Sequence, residues 1–257
     1  MKRLGLALLL ALALLAWLGP WLSPHDPRVQ DLRHVLAAPD ARHWLGTDHL
    51  GRDQFTRLAH ALRLSLGLAA ACTVLAAVVG STLGLLAAWR GGTVDRLLSA
   101  VADAVMALPG LLLVLLVAAL LPGELLPLYG GLALALWVDH FRIVRATAVP
   151  VLHGAPVEAA RLLGLGTGHV LRRHLLPELA PLMGTLLAFG VATAVLSMAA
   201  LGFVGVGLRP PTAELGLMLI ELLPTYHEAP WLLAGPVAAL MAFVAALALL
   251  APQRGLP

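Results

Sequence analysis

The chain has 257 residues, of which 60% are hydrophobic and only 12% charged, with a net charge of +3 and a mean hydropathy of +0.90. Soluble domains carry about 25% charged residues. The polar surface here is too small to cover a soluble fold, so soluble globular, disordered and disulfide-scaffold classes are excluded. The lone Cys72 cannot form an internal disulfide, and the Arg residues lie in separate loops, so no basic patch for nucleic acid is built.

A helix needs about 20 apolar residues to cross the hydrocarbon layer. Six stretches qualify: 4–22, 64–89, 97–121, 125–138 extended through Phe141, Ile143 and Val144, 180–208, and 231–252. The expectation is an all-α polytopic membrane protein with about six transmembrane helices. Lys2 and Arg3 precede the first stretch, which ends Gly19-Pro20-Trp21-Leu22 without an A-x-A site. An uncleaved first helix over 1–22 is therefore expected rather than a signal peptide.

Six crossings place both termini on one side. Segments 1–3, 90–96, 142–178 and 253–257 hold ten Lys or Arg, and segments 23–63, 122–124 and 209–230 hold seven. Loop cations assign the first set, and both termini, to the cytoplasm. The resulting divisions are the first helix (1–22), an external cap (23–63), a core of five helices (64–252) with a cytosolic loop (149–178), and a short tail (253–257).

The 23–63 segment mixes signs too densely to enter lipid: Asp26, Arg28, Asp31, Arg33, Asp40, Arg42, Asp48, Arg52 and Asp53. It reads as an ordered cap or as a solvated linker, and long structureless loops are uncommon. Gly46-Thr47-Asp48, then Gly51-Arg52-Asp53, predicts a turn and a helix start, capped by Thr47 or Asp48. Phe55, Leu58 and Leu62 then recur at helical spacing.

In 149–178, Pro156 suits a first helical turn, Val157 to Leu163 follows, and Gly164 suits a left-handed stop. Thr167 is expected to cap a second, basic helix over 168–176 that ends before Pro177. Ala159 and Ala160 permit close approach of another backbone, and Leu162, Leu163 and Leu165 cluster at the bend. This is a docking element, or else a surface helix lying on lipid.

Gly202, Gly205 and Gly207 lack the strand–helix setting of a nucleotide fingerprint. They predict close helix packing or a break at the outer end of the fifth span, and Pro210-Pro211 directs an extended exit. Glu214, Glu221 and Glu228 make the following loop acidic, as a contact for an external protein or as a solvated rim.

The chain has no P-loop, since its only Lys is Lys2 beside Arg3. Transport would draw on a separate ATPase or on no ATP at all. A secondary carrier would use Asp139 and His140, which otherwise read as charges held at the membrane edge. An intramembrane enzyme finds no G-x-S-x-G or H-E-x-x-H motif, and His25, His34, His43, His49 and His60 are not spaced as a compact metal motif.

Glu158-Ala159-Ala160, Gly164, and His174-Leu175-Leu176-Pro177 together resemble the EAA loop of ABC-importer permeases. Leu45-Gly46-Thr47-Asp48-His49-Leu50-Gly51-Arg52-Asp53 is similar to the segment after the first span in the C-type permeases of the dipeptide, oligopeptide and nickel branch. Leu201-Gly202-Phe203 through Gly205-Val206-Gly207, with Pro210-Pro211-Thr212 and Gly216, looks like that branch's outer loop. Val101-Ala102-Asp103 and Leu108-Pro109 match its third span. The chain departs at Leu215, where the branch often has Trp, and at the short tail.

The resemblance implies a permease subunit in a bacterial inner membrane. It would pair with a homologous permease, two ABC ATPases would bind the cytosolic loops of the pair, and an external solute-binding protein would deliver cargo. Peptide is the first expectation for cargo, and nickel the alternative. Glu158, Ala159, Ala160, Leu162, Leu163, Gly164, Leu165 and Pro177 are the implied ATPase-coupling residues. Gly46, Thr47, Asp48, Gly51, Arg52 and Asp53 are the implied binding-protein contacts, with Gly205, Gly207, Pro210 and Pro211 in the outer loop. No metal or cofactor is expected in this chain; ATP and magnesium would sit on the partner ATPases, and substrate contacts are not assigned.

Overall fold

A computed structural model describes residues 2–120 and 125–250. The expected 122–124 loop and the 253–257 tail lie outside the described residues. Among those described, regular structure is helical apart from one antiparallel bridge between Thr47 and Asp53. Four helical runs among the described residues are long and apolar enough to cross a membrane: α1 (Lys2–Leu22), α2 (Gln54–Arg90), Thr167–Phe203, and α10 (Trp231–Leu250). Between α2 and α8 lie α3 (Gly92–Met106), α4 (Gly110–Leu120), α5 (Leu125–Leu152), α6 (Ala155–Leu162) and α7 (Thr167–Val170). A π turn, Leu171–Leu175, joins α7 to α8 (Leu176–Phe203), and α9 (Leu215–Leu222) precedes α10. The fourth expected span is α5, which carries Asp139, Arg142 and Arg145 in its second half.

Four expectations on elements are corrected. The expected third span is two helices, α3 and α4, bent by 85°. The residue before a proline avoids the helical region, so Leu108-Pro109 breaks the run between Ala107, which still donates to the Asp103 carbonyl, and Leu113, which donates to that of Pro109. The expected cap helix and second span are one helix, α2. At 37 residues it is about 55 Å long, well beyond one bilayer, so its first turns belong to the cap. The helix expected over 168–176 does not stop before Pro177. The π turn widens the backbone, Leu176 N–H donates to the Leu171 carbonyl five residues back, and Pro177 is accommodated in the first turn of α8. Gly166, not Thr167, occupies the N-cap position of α7.

The chain divides into two compact units, Met1–Ala69 with Leu121–Leu125 and Ala192–Pro257, and Ala70–Leu120 with Leu126–Val191. In the first, α1 packs on α10, where a side chain at Gly5 would meet the Ala246 carbonyl at 2.7 Å. In the second, Gly80 and Gly84 of α2 face the Trp137 and Phe141 carbonyls of α5. This small-xxx-small pattern lets two backbones touch where apolar attraction between helices is weak. Val144, Ala148, Leu152, Val157, Ala160, Val170, Leu175 and Leu179 form one buried cluster there, which fixes α6 and the π turn onto α5.

Candidate functional site

In the second unit, the segment from α6 to the π turn is shaped by a Schellman turn. Gly164 has φ +70°, its N–H donates to the Arg161 carbonyl at 3.0 Å, and Leu165 N–H donates to that of Ala160 at 3.0 Å. The sequence expectation for Gly164 as a left-handed stop matches this geometry. The two alanines divide: Ala160 is buried in the cluster with Val157 and Val170, whereas Ala159 and Glu158 are exposed. Leu162 and Leu163 are 85% and 78% exposed, and Leu165 is 39% exposed. Pro177 is exposed at the start of α8. Short-range turn chemistry thus projects leucines outward from a helix whose other face is anchored.

Asp139 is exposed and His140 is buried, with His140 Nδ1 3.1 Å from the Leu136 carbonyl. The two do not form a pair. The ion pairs of this region are Arg142 with Asp103 and Arg145 with Asp95.

In the first unit, the cap is folded around charges. Thr47, Asp48, Arg52 and Asp53 are all buried, and Gly46 and Gly51 have φ of +76° and +70°. A side chain at Gly51 would collide with the Asp31 carbonyl, so the tight approach admits only glycine. Asp48 Oδ1 accepts N–H groups of Leu50 (2.9 Å) and Arg52 (3.0 Å), and its Oδ2 accepts Arg52 Nε at 2.7 Å. Arg57 Nε lies 3.4 Å from the same oxygen, and both Arg52 and Arg57 reach Glu221 of α9. Neither Thr47 nor Asp48 caps the following helix. Asp53 does, its Oδ2 accepting Thr56 N–H at 2.8 Å. The motif side chains Thr47, Asp48, Arg52 and Asp53 therefore hold the cap from inside rather than standing on its surface.

The outer loop repeats the Schellman device at the end of α8. Gly205 has φ +78°, its N–H donates to the Gly202 carbonyl at 3.0 Å, and Val206 N–H donates to that of Leu201 at 2.9 Å. Gly207 follows at 3.6 Å from Gly202, measured from the place a side chain would occupy, and Pro210-Pro211 is a cis bond in the connection to α9. Glu214 is buried at the N-cap of α9, where its Oε2 accepts Leu217 N–H at 2.8 Å. Burial raises its pKa above the ordinary carboxylate value, against the backbone N–H bonds that lower it. The expected acidic rim is corrected accordingly: Glu214 is buried, Glu221 is ion-paired inward, and Glu228 alone of the three is exposed.

The sequence reading missed three arrangements. The Gly80/Gly84 contact carried a visible small-xxx-small signal. The Arg52–Arg57–Glu221 pairing and the meeting of His25, His43 and Asp53 carried none, because each depends on residues far apart or on different loops.

Apolar helices long enough to cross a bilayer, joined to a folded polar cap, define a multi-pass membrane protein. Comparison with known proteins agrees. Residues 80–252 match the family described as binding-protein-dependent transport system inner membrane component, and residues 3–39 match the N-terminal TM domain of oligopeptide transport permease C. The chain is 38% identical over 217 residues to nickel transport system permease protein NikC of Escherichia coli (strain K12), covering 84% of this chain and 78% of that one. It is 37% identical over 235 residues to a putative peptide transport system permease protein of Brucella suis biovar 1, covering 91% and 79%. It is 33% identical over 227 residues to dipeptide transport system permease protein DppC of Bacillus subtilis (strain 168), covering 88% and 71%. The chain belongs to the inner membrane components of binding-protein-dependent transport systems.

Proposed function

We propose that this chain forms half of the translocation pathway of an ATP-driven importer for peptides. It pairs with a homologous permease, two ABC ATPases dock on the cytosolic loops of the pair, and an external solute-binding protein delivers cargo to the cap side. Both termini are cytoplasmic in this reading, and the membrane is the bacterial inner membrane. The chain holds no nucleotide itself; ATP and magnesium are bound by the ATPases.

The observation that carries the reading is the exposure of Leu162 and Leu163 (85% and 78%) on a helix anchored by Val157 and Ala160. Apolar side chains held in the open on a fixed bend suit insertion into a groove on a partner protein. Glu158, Ala159 and Gly164 border them, and ATPase closure would push this element as a rigid lever on α5 and α8. In the test, Leu162→Asp with Leu163→Asp is co-expressed with the full transport system. Loss of the co-purifying ATPase and of uptake, with membrane insertion retained, is the expected result. Retention of both the ATPase and uptake would remove the coupling assignment and leave a helix resting on lipid.

Nickel is the second reading for cargo, supported by the 38% identity to a nickel permease. Uptake of a labelled dipeptide and of radioactive nickel, each with and without the gene, separates the two.

A further inference from the structure

The cap gathers His25 and His43, which the transport reading does not use, beside Asp53, the N-cap of α2. His25 and His43 lie with ring centroids 4.7 Å apart at 34°. His43 Nδ1 is 2.9 Å from Asp53 Oδ1. One ligating atom from each of His25, His43 and Asp53 falls within 4.8 Å of the others. They border a groove of about 720 Å³, on which Asp26, Asp31, Asp40 and Asp53 oppose a single guanidinium, Arg42.

Each member of the trio is held from behind. Asp53 Oδ2 is occupied by Thr56, accepting its N–H at 2.8 Å and lying 2.6 Å from its hydroxyl, which leaves Oδ1 facing the histidines. His43 is set by its own N–H, donated to Asp40 Oδ1 at 2.5 Å. His25 N–H donates to Ser23 Oγ at 3.3 Å, and that hydroxyl is 2.5 Å from the Thr56 hydroxyl. The supports of Asp53 and His25 converge on Thr56 in the first turn of α2, so these two are tied to the element that joins the cap to the membrane helices.

We propose that His25, His43 and Asp53 form a binding site for a divalent late first-row transition metal such as Ni²⁺, Co²⁺ or Zn²⁺. Two imidazoles and a carboxylate suit these borderline cations, and water from the groove completes the coordination. Ligand atoms around a four-coordinate ion at about 2.1 Å stand about 3.4 Å apart, so groups now within 4.8 Å close on it by side-chain rotation. Asp53 is buried with its Oδ2 held by Thr56, while His43 is held through its main-chain N–H and its side chain is 17% exposed. The bound ion would bridge residues 25 and 43 to the start of α2. The site stands whether the cargo is peptide or metal, and it is read on the purified chain without any ATPase.

The test uses the full chain in detergent, purified on a tag without histidine and stripped with a chelator. Co²⁺ is titrated while its visible ligand-field bands are followed, and bound Ni²⁺ and Zn²⁺ are counted by elemental mass spectrometry. One equivalent per chain is expected. Loss of an outer partner of a ligand already costs about 10–100-fold in affinity, so His25→Gln and His43→Gln are each expected to weaken binding at least tenfold. His25→Cys, which keeps a ligand, retains binding and separates ligand loss from unfolding. His34→Gln is the control, since His34 is engaged 2.7 Å from Asp31 and is outside the trio. No binding by the natural chain, or equal binding by the His25→Gln/His43→Gln double variant, overturns the proposal and leaves the trio as a hydrogen-bonded brace of α2.

Discussion

Arg57 of α2 and Glu221 of α9 form a direct ion pair across 164 positions of sequence. Arg57 is 1% exposed, and Glu221 is shared with Arg52, 3.3 Å away. Asp48 accepts from Arg52 and lies 3.4 Å from the Arg57 guanidinium, so two cations and two carboxylates neutralise each other inside the cap. Removing one partner of such a cluster strands a buried charge. Glu221→Ala is therefore expected to cost about 3–5 kcal/mol, seen as a large drop in the melting temperature of the detergent-solubilised chain. Arg57→Met with Glu221→Leu, which removes both charges of the pair, should recover part of that loss. A Glu221→Ala melt equal to that of the natural chain would refute a structural role for the cluster.

Gly164 and its surroundings give a prediction in which geometry and crowding separate. Its φ is +70°, and a side chain there would meet nothing within 4 Å. The penalty of substitution is therefore conformational, about 1–2 kcal/mol, and larger for a β-branched residue. Gly164→Val should uncouple ATP-dependent uptake while the protein still inserts. Gly164→Asn, which tolerates the left-handed region, should transport nearly normally. Equal transport by both variants would sink the link between this turn and coupling.

Gly51 and Gly91 both have positive φ, +70° and +58°. They differ in space: a side chain at Gly51 strikes the Asp31 carbonyl, and one at Gly91 meets nothing within 4 Å. Gly91 pairs its φ with a ψ of −158°, a region essentially confined to glycine, so Gly91→Ala should cost about 1–3 kcal/mol from backbone strain alone. Gly51→Ala must also move the cap backbone, so it should cost more and make residues 23–53 sensitive to protease. Limited proteolysis of the two variants side by side checks this. Equal resistance would mean that the cap relaxes freely around Asp31.

Glu214 offers a pH test outside the membrane-spanning helices. Burial raises its folded pKa above the unfolded value, so the fold favours the neutral carboxyl. That contribution is complete below the unfolded pKa, about 4.3, and is lost as pH rises through the folded value. Glu214→Gln keeps an oxygen to accept the Leu217 N–H but carries no charge at any pH. Its stability relative to the natural chain should therefore rise between pH 4 and pH 7. A difference that stays flat over that range would show that Glu214 is not strained by ionisation.

Much of this was legible because it is local. Gly164 and Gly205 mark helix ends, since a left-handed residue after a helix strongly favours glycine, and both structural turns have that form. Asp53 shows the limit of the same reasoning. Thr47 and Asp48 were equally good capping residues by type, yet the helix starts at Gln54 and only Asp53 stands next to it. Pro177 failed for a related reason. The rule that helices end before proline assumes regular α geometry, and one π turn removes the clash.

The sequence by itself determined that the chain crosses a membrane repeatedly, where its polar cap and exposed bend fall along the chain, and which family it resembles. These follow from runs of apolar residues longer than a bilayer is thick and from short motifs whose backbone demands are local. Only the tertiary structure decided that the cap's charged motif is buried, that Glu214 and Glu221 turn inward, that Ala160 anchors while Leu162 and Leu163 protrude, and that His25, His43 and Asp53 meet. Burial and pairing are set by which distant segments pack together, and a carboxylate reads the same in a sequence whether it faces water or a guanidinium.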